Sequence, residues 1–434
     1  MAPQSFVAQV TLWDRQIGAV AWDDERSLGF FEYEPDFARA GLPVAPFTMP
    51  LEPRIFSFPQ LSLETYHGLP GMLADSLPDR FGNILIDEWL SRQGRDRSTF
   101  NPVEQLCYVG NRGMGALEYR PALRGRGGSG HVHVDELADL AAEILAGRDD
   151  LRSELDDNGL EDLLQVGTSA GGARPKAIIA WNPATGEIRS GQVPAPQGFQ
   201  YWLLKFDGVR RDDRGLADPE GYGRIEYGYH LMAVDAGISM TEARLEVDRA
   251  GRAHFMTRRF DRTPDGRKVH MQSLSALRHF DFNRTGAYSY EDAFSTTQGL
   301  AIPPVAIDQL YRRMLFNVVA RNQDDHTKNI AYLMDESGRW QLAPAFDIIW
   351  AYNPRGRWTD HHQMTINGKR DDFTRSDLTV VGDKIGIRDP ASILDEIVTV
   401  VGRWRVYSDK AGVTAEHRDR IAATHRLRFS SHHP

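Results

Sequence analysis

The chain has 434 residues, 41% hydrophobic and 26% charged, with a formal net charge of −9 at neutral pH. That length points to two or three domains with sizeable cores. The acidic balance disfavours autonomous binding along a nucleic-acid backbone, leaving room only for a local basic patch. Cys107 is the sole cysteine, which excludes an intramolecular disulfide and a cysteine-built zinc cluster. The opening MAPQSFVAQVTLW lacks the basic and apolar regions of a signal peptide, and no stretch approaches the roughly 18 apolar residues of a spanning helix. A cytoplasmic protein without membrane contact is the expectation.

In chain order, FVAQVTLWD (6–14) and QIGAVAWDD (16–24) alternate like paired strands. PGMLADSLPDRFGNILIDEWL (70–90) reads as a turn with two prolines and then a helix. RGRGGSG (124–130) marks a boundary. A helix is expected over about 135–146, followed by a short one at LEDLLQV and the Gly-rich GTSAGGARPK (167–176). AIIAW and FQYWLLKFDG (199–208) read as strands, the second carrying Lys205. A helix over about 224–236 carries Glu226 off its apolar face, and a hairpin then runs into RRFDR (258–262).

From about residue 290 the pattern is helical. One helix ends at LYRRMLFNVVA, another opens at Asp389 with Pro390, and a last one is expected over about 415–427. Behind LYRRMLFNVVA stands RNQDDHTKNI (321–330), a polar run open to three readings: a solvated loop, a metal site or the floor of an active site. IAYLM (330–334), a turn at DESG and a second strand-like segment, WQLAPAFD (340–347), lead on to Asp347. The adjacent His361 and His362 read as solvated residues rather than metal ligands.

The order of these parts decides among the three readings. A Gly-rich segment, a strand with a lysine, a helix with a carboxylate, a polar loop with Asp and Asn, and a later Asp is the order of a kinase-type phosphotransferase. Asn and Asp oxygens are hard ligands suited to Mg2+.

DDHTKN (324–329) with LAPAFD (342–347), supported by GGARPK (171–176), LLKFDG (203–208), RRFDR (258–262) and LADSLPDRFG (73–82), resembles the HipA-like serine/threonine kinases. These are the toxin components of HipBA-type toxin–antitoxin modules. The resemblance implies an α+β, two-lobed kinase-like fold. Its N-terminal α/β lobe would carry an extra β-rich subdomain, and its C-terminal lobe would be mostly helical. The expected divisions are an N-terminal subdomain at 1–123, a nucleotide-binding region at 131–260 and a helical lobe at 261–434.

By the same resemblance, Asp324 is the catalytic residue that meets the substrate hydroxyl, and His326 braces its loop. Asn329 and Asp347 hold Mg2+ against the phosphates of ATP, Lys205 binds the nucleotide, and Phe260 lies near the adenine. Ser169, with Gly171 and Gly172, belongs to a Gly-rich loop that is phosphorylated by the kinase itself, with Thr168 as the neighbouring alternative. ARPK stands where AQEK is common in the family, which bears on the regulation of that loop. Asp325 falls to a supporting or solvated role, and Glu226 is balanced between a lysine partner and a solvated residue. The implied partners are a protein substrate offering a Ser/Thr hydroxyl and a small helix-turn-helix antitoxin that supplies most DNA contacts. Two rival readings are an inactive kinase-fold co-repressor or scaffold and a metal-dependent phosphoesterase built on DDH. Neither accounts for Lys205, Asp324, Asn329 and Asp347 together.

Overall fold

The computed structural model describes residues 6–39, 41–123, 133–146, 174–209 and 220–429. The chain divides into two compact units. The first comprises 1–223, 244–272 and 334–338, and the second 224–243, 273–333 and 339–434.

The first unit holds two five-stranded sheets. In one, β1 (Val7–Leu12), β2 (Arg15–Asp23), β3 (Leu28–Tyr33), β4 (Ile55–Phe56) and β5 (Leu117–Arg120) run in the order β4-β3-β2-β1-β5. The expected strand alternation is present: Ala8, Val10 and Leu12 of β1 and Ile17, Val20 and Trp22 of β2 are buried. Trp13 and Asp14 join β1 to β2 with both residues at positive φ, as a two-residue hairpin turn requires.

The other sheet contains β6 (Lys176–Trp181), β7 (Ile188–Ser190), β8 (Gln200–Lys205), β9 (Ala243–Val247) and β10 (Ala253–Arg258), ordered β7-β6-β8-β10-β9. Ala177, Ile179, Trp202, Leu204 and Met256 form its buried face. The helices Arg80–Arg92 and Val134–Ala146 pack there through Phe81, Leu85, Leu137 and Ala141. Each large apolar side chain closed off in this way contributes roughly 1.5–3 kcal/mol relative to exposure.

The second unit is mostly helical. Its central helix, Val305–Val319, buries Leu310, Met314, Leu315, Val318 and Val319. It packs against the helix Pro390–Val401. As expected, Asp389 caps that helix, accepting from Ser392 N at 3.0 Å, with Pro390 in its first turn. Ser289 and Thr374 open the helices Tyr290–Gly299 and Arg375–Lys384 with reciprocal capping boxes.

Two sequence expectations need shortening. The last helix is Ala415–Ala422 rather than 415–427. Of WQLAPAFD only Trp340–Leu342 is a strand, because Pro344 has no N–H to offer a ladder. The two units give the expected α+β character, one rich in sheet and the other in helix. Among the described residues no helix is long and apolar enough to cross a membrane.

Candidate active site

The site residues expected from the sequence fall in both units. In the first unit, Lys205 ends β8, with Lys176 of β6 and Phe255 of β10 as its cross-strand neighbours. Its Nζ stands 5.9 Å from the centroid of the Phe255 ring. Ser169, Gly171 and Gly172, with Thr168, lie outside the described residues.

Lys176, the last residue of GGARPK, forms a buried ion pair with Asp79 at 2.9 Å. Asp79 also caps the helix Arg80–Arg92, accepting from Gly82 N at 2.7 Å. The motifs LPDRFG and ARPK, far apart in sequence, are thus tied by charge. The signal was a lysine at the start of an apolar strand, which needs a counter-charge when buried.

Asp207 of LLKFDG accepts from the amides of Gly221 and Gly223. A Cβ on Gly223 would lie 1.9 Å from Ala253 O, so only glycine fits that crossing.

Phe260 is half-buried between two charged neighbours. Arg259 grips Asp261 with Nε at 2.8 Å and Nη2 at 2.6 Å, Arg262 Nη1 reaches it at 2.8 Å, and Gly115 N donates to it at 2.7 Å. Burial raises the Asp261 carboxyl, but the two arginine charges and these hydrogen bonds outweigh it and hold the group far below the ordinary range. Sequence reasoning placed Phe260 in this link but did not find the ion cluster that fixes it.

In the second unit the central helix ends and Arg321, at φ 58, turns the chain through the left-handed region. Ala351 then pairs with Asn322, giving its N–H to Arg321 O at 3.1 Å and accepting from Gln323 N at 3.0 Å. The loop closes on itself: Asn329 N donates to His326 O at 2.9 Å and Asn329 Nδ2 to Asp324 O at 2.8 Å. The Asp324 side chain is 49% exposed, and His326 Nε2 lies 3.8 Å from its carboxylate. The His326 ring rests against Phe282, 5.5 Å between centroids.

The strands β11 (Ala331–Met334) and β12 (Trp340–Leu342) form the expected hairpin. Beyond it, Ala345 N donates to Ser239 O at 2.8 Å, and the chain reaches Asp347 at φ 52. Asn322 Nδ2 donates to Asp347 O at 3.3 Å. His326, Asn329 and Asp347 line one cavity of about 20 Å³, together with Arg313, Asn317 and Asp325. The buried Arg313 donates through Nη2 to Ala343 O at 2.7 Å, holding the segment that leads to Asp347.

One reading of the sequence is narrowed here and another is corrected. Asp325 is not solvated: it is 3% exposed and accepts from Tyr290 Oη at 3.0 Å, Gln363 N at 2.8 Å and His362 Nδ1 at 2.8 Å. His362, read as solvated beside His361, is fully buried in this contact, whereas His361 is 48% exposed and paired with Asp360. Burial pushes the Asp325 carboxyl up, yet the His362 imidazole and the three hydrogen bonds bring it below its ordinary value. Burial, and then the Asp325 charge, raise the Tyr290 hydroxyl well above its usual range, so it remains a donor. Asn317 Nδ2 donates to Tyr290 Oη and Asn322 Nδ2 to Asn317 Oδ1, both at 3.0 Å, extending the network to the backbone of Asp347. Glu226 is 3% exposed, which removes its solvated reading.

Among the described residues no group of three or more His, Cys, Asp or Glu could hold a metal unaided. Asn329 and Asp347, both residues with hard side-chain oxygens, line one cavity. That donor set fits a small divalent cation that takes its remaining ligands from phosphate and water.

The HipA-like C-terminal domain family matches residues 168–404, and the HipA N-terminal domain family matches residues 8–120. A Sinorhizobium fredii protein named "Putative kinase Y4mE" is 26% identical over 137 residues. That match covers 29% of this chain and 32% of the relative, so the chain spans about a third of the curated relative it matches. The structure of HipA from the Shewanella oneidensis MR-1 toxin–antitoxin system, determined with HipB and its operator DNA, superposes with a TM-score of 0.67. It is 18% identical, and the match covers 96% of each chain.

Proposed function

Because the chain belongs to the HipA-like family and has its kinase-like fold, we propose that it is an ATP- and Mg2+-dependent serine/threonine protein kinase. The observation that carries this reading is that Asn329 and Asp347 line one cavity and that the Asn329 side chain also fixes the Asp324 backbone. Asp324 presents a half-exposed carboxylate to an incoming Ser or Thr hydroxyl, orients it and takes its proton. His326 braces the loop beneath it. Asn329 and Asp347 would hold Mg2+, which when bound offsets charge developing on the transferred phosphoryl group. Lys205 and the 168–172 loop would hold the phosphates, with Phe260 beside the base.

The reading extends to regulation and partners. Ser169 is the proposed autophosphorylation site: a phosphate there adds negative charge where the nucleotide phosphates must lie. As the toxin of a type II toxin–antitoxin module, the protein would phosphorylate a cellular protein and slow growth in the cytoplasm. A small helix-turn-helix antitoxin would be its partner and make most of the DNA contacts. Residues 1–123, 131–260 and 261–434 would then be the N-terminal subdomain, the nucleotide-binding region and the catalytic lobe.

Calorimetric titration of ATP with and without Mg2+ tests the reading. Saturable Mg2+-dependent binding is expected, roughly tenfold weaker in Lys205→Ala, with the Mg2+ dependence lost in Asp347→Asn. Wild-type protein that binds no nucleotide would overturn it. Peptide mass spectrometry after incubation with ATP tests Ser169, which fails if phosphate is found only elsewhere.

A further inference from the structure

An open cavity of about 470 Å³ lies in the helical unit, walled by Arg321, Tyr352 and residues 423–428. No residue assigned above to phosphotransfer lines it. The walls are held firmly. Arg321 Nε donates to Thr424 O at 2.9 Å, Trp350 Nε1 to Thr424 Oγ1 at 3.0 Å, and Arg426 N to Val319 O at 2.9 Å. The Arg321 guanidinium lies 4.3 Å from the centroid of Tyr352, and that of Arg426 lies 5.4 Å from Phe373.

Three arginines, Arg321, Arg426 and Arg428, converge on these walls. The Arg321 and Arg426 side chains are 17% and 11% exposed and share one partly buried carboxylate, Asp371. Arg426 Nη2 bonds Asp371, whereas Arg321 Nη1 stays 3.7 Å away, beyond hydrogen-bond reach. Nη1 of each arginine is buried and lacks a hydrogen-bond partner. Arg428 adds an exposed cation on the same wall, and Asp372, also exposed, is a further carboxylate acting on Arg321. His425 contributes no charge, because burial and then Arg321 push its imidazole down to about 3. Burial, and then the Arg321 charge, push Arg426 down to about 9, against the opposing pull of Tyr352 and Asp325.

We propose that this cavity binds a phosphate group, free or esterified, between Arg321, Arg426 and Arg428. Guanidinium forks match phosphate oxygens in charge and geometry. A dianion in the cavity adds to the negative charge that Asp371, Asp372 and Asp325 already direct at these arginines.

The test titrates inorganic phosphate and O-phosphoserine into the full chain, with and without ADP and Mg2+. Saturable binding that ADP does not displace is expected. It should weaken roughly tenfold in Arg426→Gln and a few-fold in Arg428→Gln, with partial recovery in Arg426→Lys. Tighter binding of phosphoserine assigns the site to a phosphorylated side chain, and tighter binding of phosphate to the free ion. Circular dichroism checks each fold. Arg428→Gln, on the surface, remains decisive if Arg426→Gln unfolds. Binding that ADP displaces completely, no binding, or equal binding by wild type and Arg428→Gln would overturn the proposal. Because the arginine variants read the site directly, the result stands even if the protein proves not to be a kinase.

Discussion

His362 Nδ1 lies 2.8 Å from a carboxylate oxygen of Asp325, with both side chains closed to solvent. The pair joins the loop bearing Asp324 to the segment at 362–363, where Gln363 N donates to the other Asp325 oxygen. Removing one partner leaves the other buried and uncompensated. His362→Ala is therefore expected to destabilise the protein by about 3–5 kcal/mol, measured by urea unfolding. A loss within about 0.5 kcal/mol, the range of ordinary surface changes, would contradict the buried pair.

The same pair sets an acid dependence. An unfolded Asp titrates near ~3.9, and the folded Asp325 carboxyl lies lower because its hydrogen-bonded partners outweigh burial. Its contribution is thus complete above the unfolded value and is lost as pH falls through the folded one. The stability gap between wild type and Asp325→Asn is expected to be constant above about pH 5 and to narrow below about pH 4. Urea midpoints taken across that range check this, and a gap that does not change would contradict it.

Asp347 adopts φ 52, a conformation that Asn and Asp tolerate better than other residues with a side chain. Asp347→Asn is expected to keep its fold, whereas Asp347→Ala should be about 1 kcal/mol less stable than Asp347→Asn. Thermal unfolding of the two variants side by side measures the difference. Equal stability would show that the backbone here is unstrained.

Asp261 is shared by Arg259 and Arg262, with all three side chains nearly closed to solvent. Asp261→Ala leaves two buried guanidinium groups without their carboxylate, and a loss of about 3–5 kcal/mol is expected. Denaturant unfolding of the full chain reads it. Phe260 stands between these residues in sequence, so Asp261→Ala is also expected to weaken nucleotide binding if that ring meets the base.

The legible parts of the sequence were those with a local signature. Periodicity marked the central helix, Asp389–Pro390 marked the start of the helix Pro390–Val401, and the alternation in β1 and β2 showed one buried face each. The loop at 324–329 and Asp347 were legible because their residue types and order suit one chemistry. Illegible were the pairings made over long distances: Asp79 with Lys176, Asp261 with Gly115, and Asp325 with His362. A buried charge looks like a solvated one in a sequence until its partner is known. The HH at 361–362 shows this directly, since one histidine faces water and the other is fully enclosed.

The proposed phosphotransfer site rests on Asp324, Asn329 and Asp347. Purified wild type, Asp324→Ala and Asp347→Asn are incubated with Mg2+ and γ-labelled ATP, alone and with cell extract. Label is expected on the wild-type chain or on an extract protein, with the rate lowered roughly 10²–10⁴-fold in Asp324→Ala and transfer lost in Asp347→Asn. No transfer by wild type, or undiminished transfer by Asp324→Ala, would rule out this site.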